Sequence, residues 1–124
     1  MARILIVEDE PLISLMLEEW ITELGHHVVG PVASLDEALR AAGGSNFDAA
    51  ILDVNLKHQR CDPVADVLNT QAIPFAFATG GDADSVATRF AGRPMMSKPY
   101  VFESVRNLVD KLVRSPVPTP GPVA

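Results

Sequence analysis

Ile4-Leu5-Ile6-Val7-Glu8-Asp9-Glu10 decides the fold: a short apolar run, rich in β-branched residues, passes directly into three carboxylates. A run of that length and composition reads as a strand buried in a parallel sheet. It has a counterpart in Ala49-Ala50-Ile51-Leu52, which ends in Asp53. If the two strands are parallel neighbours, Glu8, Asp9 and Asp53 meet at one end of the sheet. Carboxylates crowded into one small site repel each other as bare anions unless a cation neutralises them. The pattern therefore implies a divalent metal, with chemistry at that metal.

Working outward, strand and helix alternate. Residues 3–7 form the first strand. Pro11 stands where a first-turn proline is tolerated, and the preceding acids suit a helix N-terminus. Ile13, Leu17, Trp20, Ile21 and Leu24 then recur at helical spacing opposite Glu18, Glu19, Thr22 and Glu23, with Gly25 as a natural stop. Residues 27–33 form a second strand, and Gly30-Pro31 inside it suits a sheet edge. Ser34 and Glu37 have capping-box spacing for a helix that ends at Gly43-Gly44. Residues 47–53 are the third strand and 54–62 a polar loop. A helix over 63–70, a strand over 74–79, a short helix over 85–90, a short strand over 95–97 and a last helix over 100–114 complete the pattern. Phe102, Val105, Leu108, Val109 and Leu112 mark the core face of that last helix. Residues 115–124 hold four prolines and predict a disordered Pro-rich tail after a single domain over 1–114. Strands alternating with helices predict an open five-stranded parallel sheet covered on both faces, with ligands bound beyond the C-terminal strand ends.

The totals narrow the function. With 124 residues, 48% of them hydrophobic, the chain can bury an ordinary core. Ten basic against 16 acidic residues, a net charge of −6, argue against a nucleic-acid partner. No apolar stretch is long enough for a membrane span, and none resembles a signal peptide. Cys61 is the lone cysteine, which predicts a reducing, cytoplasmic setting. Cys61 and His58 are too few for a zinc site, and the loop carrying them, with Lys57 and Arg60, reads as solvated. Met95 and Met96 read as core filler.

Thr79 ends the fourth strand and Lys98-Pro99 follows the fifth, at the same edge as the acids. Magnesium takes hard oxygen ligands and retains waters. Asp9 and Asp53 suit direct ligation, Glu8 ligation through water, and Asn55 can add its backbone carbonyl. Asp53 can then act as a nucleophile toward a phosphoryl group. Lys98 offers a point charge to a phosphate oxygen and Thr79 a hydroxyl. A cis bond before Pro99 would aim Lys98 back at the site.

These residues, in this order and placement, resemble the receiver domain of bacterial two-component response regulators over residues 1 to about 114. The resemblance implies a flavodoxin-like fold with strand order 2-1-3-4-5, and an aspartyl phosphate formed on Asp53 with Mg2+. It implies Thr79 and Lys98 as the other reactive-site residues. Pro74-Phe75-Ala76-Phe77-Ala78-Thr79-Gly80, with Lys98-Pro99-Tyr100 and Leu52-Asp53-Val54-Asn55-Leu56, is similar to the free-standing "FAT GUY" group, which works with histidine kinases in stress signalling. The chain departs from that group at Gly80-Gly81-Asp82 and at Lys57-His58-Gln59-Arg60. It carries Met95 where receivers place a switch aromatic, and Thr79 to Lys98 leaves room only for a short or disordered fourth helix. Residues 80–93, with Gly80 and Gly81, are accordingly expected to reorder when Asp53 is phosphorylated.

The implied partners are a sensor histidine kinase or histidine phosphotransfer protein and a downstream protein. The chain itself is expected to be a monomer or weak dimer. Its output would be phosphorelay, kinase regulation or a phosphate sink, with self-phosphorylation and slow self-dephosphorylation only. One alternative is a Mg-dependent phosphatase with Asp53 as nucleophile. Asn55, where such enzymes carry a second acid, argues against it. The other is a pseudo-receiver scaffold that never meets phosphate.

Overall fold

A computed structural model of the chain describes residues 2–44, 46–56, 59–79, 90, 92–97 and 100–114. The strands are β1 (Arg3–Val7), β2 (His27–Val32), β3 (Ala49–Asp53), β4 (Asn55–Leu56), β5 (Gln59–Arg60), β6 (Phe75–Thr79) and β7 (Met95–Ser97). The helices are α1 (Pro11–Glu23), α2 (Leu35–Gly44), α3 (Asp62–Thr70) and α4 (Phe102–Arg114). A five-stranded sheet has the order β2-β1-β3-β6-β7, and every pair in it is parallel. This is the expected flavodoxin-like arrangement. The segment expected to hold a short helix before β7 lies largely outside the described residues, as do 115–124.

Successive residues of a strand point to opposite faces, and the core divides accordingly. Leu5, Val7, Ala50, Leu52, Phe75 and Phe77 pack with Ala38 and Ala42 of α2 and Val64, Ala65 and Leu68 of α3. Ile4, Ile6, Ala49, Ile51, Ala76 and Ala78 pack with Leu17 and Ile21 of α1 and Val105, Leu108, Val109 and Leu112 of α4. The sheet is thus covered on both faces. On the α2/α3 side Phe75 meets Phe77 and Phe90 edge-to-face, and Phe77 and Phe90 lie tilted, at centroid distances of 5.6–5.8 Å. Each such side chain, fully buried, stabilises the fold by about 1.5–3 kcal/mol.

The helix ends follow local chemistry. Glu10 is the N-cap of α1 with Pro11 behind it, and Gly25 turns the chain away at φ +94°. Ser34 Oγ accepts the Glu37 N–H at 3.2 Å, while Glu37 Oε1 accepts from the Ser34 hydroxyl at 3.3 Å and the Ala33 N–H at 3.4 Å. Ser34 and Glu37 thus cap α2 reciprocally, with the Ala33 N–H in place of the usual N-cap amide.

Three expectations need correction. The last helix starts at Phe102, so Tyr100 and Val101 precede it rather than open it. Strand β3 begins at Ala49 rather than at 47; Phe47 is buried, but outside the ladder. The stretch 54–62 is more than a polar loop: β4 and β5 pair antiparallel, Asn55 opposite Arg60 and Leu56 opposite Gln59. That ribbon turns Val54, Leu56 and Cys61 into the core, so Cys61 is fully buried rather than solvated. The Cys61 N–H donates to the Val54 carbonyl at 2.9 Å, which closes the ribbon onto the start of α3.

Candidate functional site

The acidic residues are positioned by strand register. Ile6 lies opposite Ile51 and Val7 opposite Leu52. One step further along each strand brings Glu8 level with Asp53. Both continue the row that points toward α1 and α4, Glu8 after Ile4 and Ile6, Asp53 after Ala49 and Ile51. On the other side Asp53 lies opposite Ala78, whose methyl group leaves room beside the carboxylate.

A bulge in β2 extends this framework to Glu8. Leu5 pairs with Val29 but Val7 with Val32, so Gly30-Pro31 adds a residue on the β2 side. The peptide bond between them is cis. Gly30 has φ +92°, and a Cβ there would sit 2.9 Å from the Val32 nitrogen and 3.3 Å from the Ile6 carbonyl oxygen. Only glycine suits both the angle and the approach. Beyond the bulge, the Glu8 N–H donates to the Val32 carbonyl at 3.0 Å. The Glu8 side chain is held too: its Oε2 accepts the Glu10 N–H at 3.1 Å.

Glu8, Asp9 and Asp53 each offer a carboxylate oxygen, and these atoms all lie within 4.8 Å of one another. Glu8 is 3% and Asp53 7% exposed, and Asp9 is half-buried. Hard oxygen donors at this spacing, open to solvent through Asp9, fit a magnesium-type cation that keeps part of its water shell. The juxtaposition expected from the two apolar runs is therefore present.

Thr79 ends β6, is 2% exposed and lies opposite Ser97 of β7. Lys98 and Pro99, next in the chain, lie outside the described residues, as do Gly80 and Gly81. Asn55 opens β4, two residues beyond Asp53. Met95 pairs with Phe77 and packs, half-buried, against the α2/α3 core.

In the core on the α2/α3 side, the Cys61 thiol is pushed up to about 12, first by burial and then by the charges of Asp53 and Asp62. Sequence patterning leaves one neighbour unassigned. Tyr100 is buried, within electrostatic reach of Glu8, Asp53 and Glu10, and burial with those charges pushes its phenol well up. A polar aromatic directly after Lys98-Pro99 is the signal that could have marked it.

Against known proteins, residues 4–109 match the family described as response regulator receiver domain. The chain resembles the solution structure of SdrG from Sphingomonas melonis Fr1, with a TM-score of 0.82 and 45% identity over 91% of this chain and 97% of that one. It also resembles the BeF3-activated conformation of SdrG from Pseudomonas melonis Fr1, at TM-score 0.77 and 46% identity over 90% and 95% of the two chains. It is 40% identical over 80 residues to the phyllosphere-induced regulator PhyR of Methylorubrum extorquens, a match covering 62% of this chain and 30% of PhyR. The chain thus spans less than a third of that curated relative.

Proposed function

Since the chain belongs to the response regulator receiver family, we propose that Asp53 accepts a phosphoryl group from a histidine kinase or a histidine phosphotransfer protein. The observation that carries this reading is the convergence of Glu8, Asp9 and Asp53 oxygens within 4.8 Å at the C-terminal edge of the sheet. Glu8, Asp9, Asp53 and the Asn55 backbone carbonyl would hold Mg2+. When bound, the cation offsets repulsion between the carboxylates and an anionic phosphoryl group.

An Asp53 carboxylate oxygen attacks phosphorus, the P–N bond to the donor histidine breaks, and its electron pair stays on the imidazole nitrogen. The Thr79 hydroxyl donates a hydrogen bond to one phosphoryl oxygen. Lys98 neutralises another. Output follows by protein–protein contact, as phosphorelay, kinase regulation or a phosphate sink, in the stress signalling that the FAT GUY resemblance implies. The similarity to SdrG, solved in a BeF3-activated conformation, supports this reading.

The test is incubation with Mg2+ and a labelled small phosphodonor. A stable adduct, lost in Asp53→Asn, is expected. Rapid release of phosphate from many esters would favour the phosphatase reading instead, and no adduct from donor or kinase would leave only a scaffold.

A further inference from the structure

Tyr100 is the chain's only tyrosine, and it is 6% exposed. Its ring packs in the same cluster as Ile6 and Ile51, the residues two positions before Glu8 and Asp53 on the same face of the sheet. The hydroxyl oxygen is fully buried and has no hydrogen-bond partner among the described residues. Buried tyrosine hydroxyls usually find a partner, because an unsatisfied one carries a desolvation cost that phenylalanine would not incur. The ring contacts alone would be served equally well by phenylalanine.

Glu8 Oε1 is fully buried as well, and Glu8, Asp53 and Glu10 all lie within electrostatic reach of this phenol. A phenol both donates and accepts. A carboxylate beyond direct hydrogen-bond reach can take its proton through a bridging water. A water polarised by a divalent cation is a strong donor to its oxygen, and magnesium-type cations keep several such waters.

We propose that Tyr100 is a positioning residue of the acidic site, its hydroxyl joined to the Glu8 carboxylate through a water of the cation's hydration shell. The inference rests on the metal-dependent phosphoacceptor reading above and adds a residue to it. Outer-shell partners of this kind orient the ligands, and their loss typically weakens metal affinity by about 10–100-fold.

The experiment is Tyr100→Phe in the full chain, read by calorimetric titration with Mg2+ and by the unfolding midpoint in EDTA. The expected result is a Mg2+ dissociation constant raised at least about tenfold, with an EDTA midpoint equal to or above that of the parent. A dissociation constant within twofold of the parent overturns the inference, and leaves the phosphoacceptor reading standing if Asp53 still takes label. A lowered EDTA midpoint also overturns it, because the hydroxyl then serves the fold rather than the metal. Failure of the parent chain itself to bind Mg2+ removes both readings.

Discussion

Cys61 illustrates how burial decides the chemistry of a residue type. The thiolate is the reactive form of cysteine. Here the thiol is fully enclosed, and burial followed by the Asp53 and Asp62 charges pushes it up to about 12. An unfolded cysteine ionises near 8.5. The folded value is raised, so the contribution of the protonated thiol is complete below about pH 8.5 and is lost as pH climbs from there toward 12. A disulfide reagent at pH 8 should therefore label Cys61 only as fast as the domain opens, and promptly once denaturant is added. Prompt labelling of the native chain would contradict the burial. Asp48 runs in the opposite direction. The backbone N–H and guanidinium of Arg3 hold its carboxyl below the usual range, the N–H donating at 2.8 Å. The stability it contributes is fully present above about pH 4 and is lost as pH falls below that, through the lowered value of the folded state. Half of each side chain is exposed, so Asp48→Asn should cost less than about 1 kcal/mol at neutral pH in a denaturant titration.

Among the elements, β2 and the segment after α3 carry the sharpest backbone constraints. Gly30→Ala would force an L side chain to φ +92° and press its Cβ against the Val32 nitrogen. A cost of roughly 2–3 kcal/mol is expected. Mg2+ affinity should fall with it, since the Val32 carbonyl beyond the bulge holds the Glu8 N–H. Unchanged metal affinity in a destabilised Gly30→Ala chain would uncouple the bulge from the site. Ala72 sits at φ 58°, where a Cβ is disfavoured, just past α3, with the Ile73 N–H closing onto the Leu68 carbonyl at 3.0 Å. Ala72→Gly should raise stability by about 0.5–1 kcal/mol, read from the urea midpoint; a drop would mean that the turn does not need the left-handed angle. These elements also show where sequence reading holds and where it stops. Strands β1, β3 and β6 are legible because both faces of a central parallel strand are buried, so their apolar runs are unbroken. The β4–β5 ribbon is not, because two-residue strands have no period and Leu56 alone marks it as inward. On α1 the helical period, not hydrophobicity alone, separates core from surface: Leu12 is 82% and Leu15 51% exposed, while Leu17 and Ile21 are buried. The acidic cluster was readable from strand ends because register carries Glu8 to Asp53. For Tyr100 the sequence offers only a polar aromatic after Lys98-Pro99, because tertiary packing alone encloses its hydroxyl.

At the scale of the whole molecule, the sheet gathers onto one edge carboxylates that lie far apart in the chain. In a protein of net charge −6, that concentration opposes folding until a cation binds. Whatever binds the folded state alone stabilises it by mass action, by about 2.7 kcal/mol at one hundred times its dissociation constant. For a domain of this size that corresponds to a rise of roughly 10 °C in the unfolding midpoint. Mg2+ should therefore raise the midpoint well beyond what NaCl achieves at equal ionic strength, because general screening acts on all exposed charges and site binding only on Glu8, Asp9 and Asp53. Asp9→Asn removes the half-buried member of that set without altering the strands beneath it. It should retain less than about a third of the Mg2+ response while leaving the response to NaCl intact. Equal midpoints in Mg2+ and NaCl for the parent chain would mean that the cluster is only a charged surface; an undiminished Mg2+ response in Asp9→Asn would place the cation elsewhere.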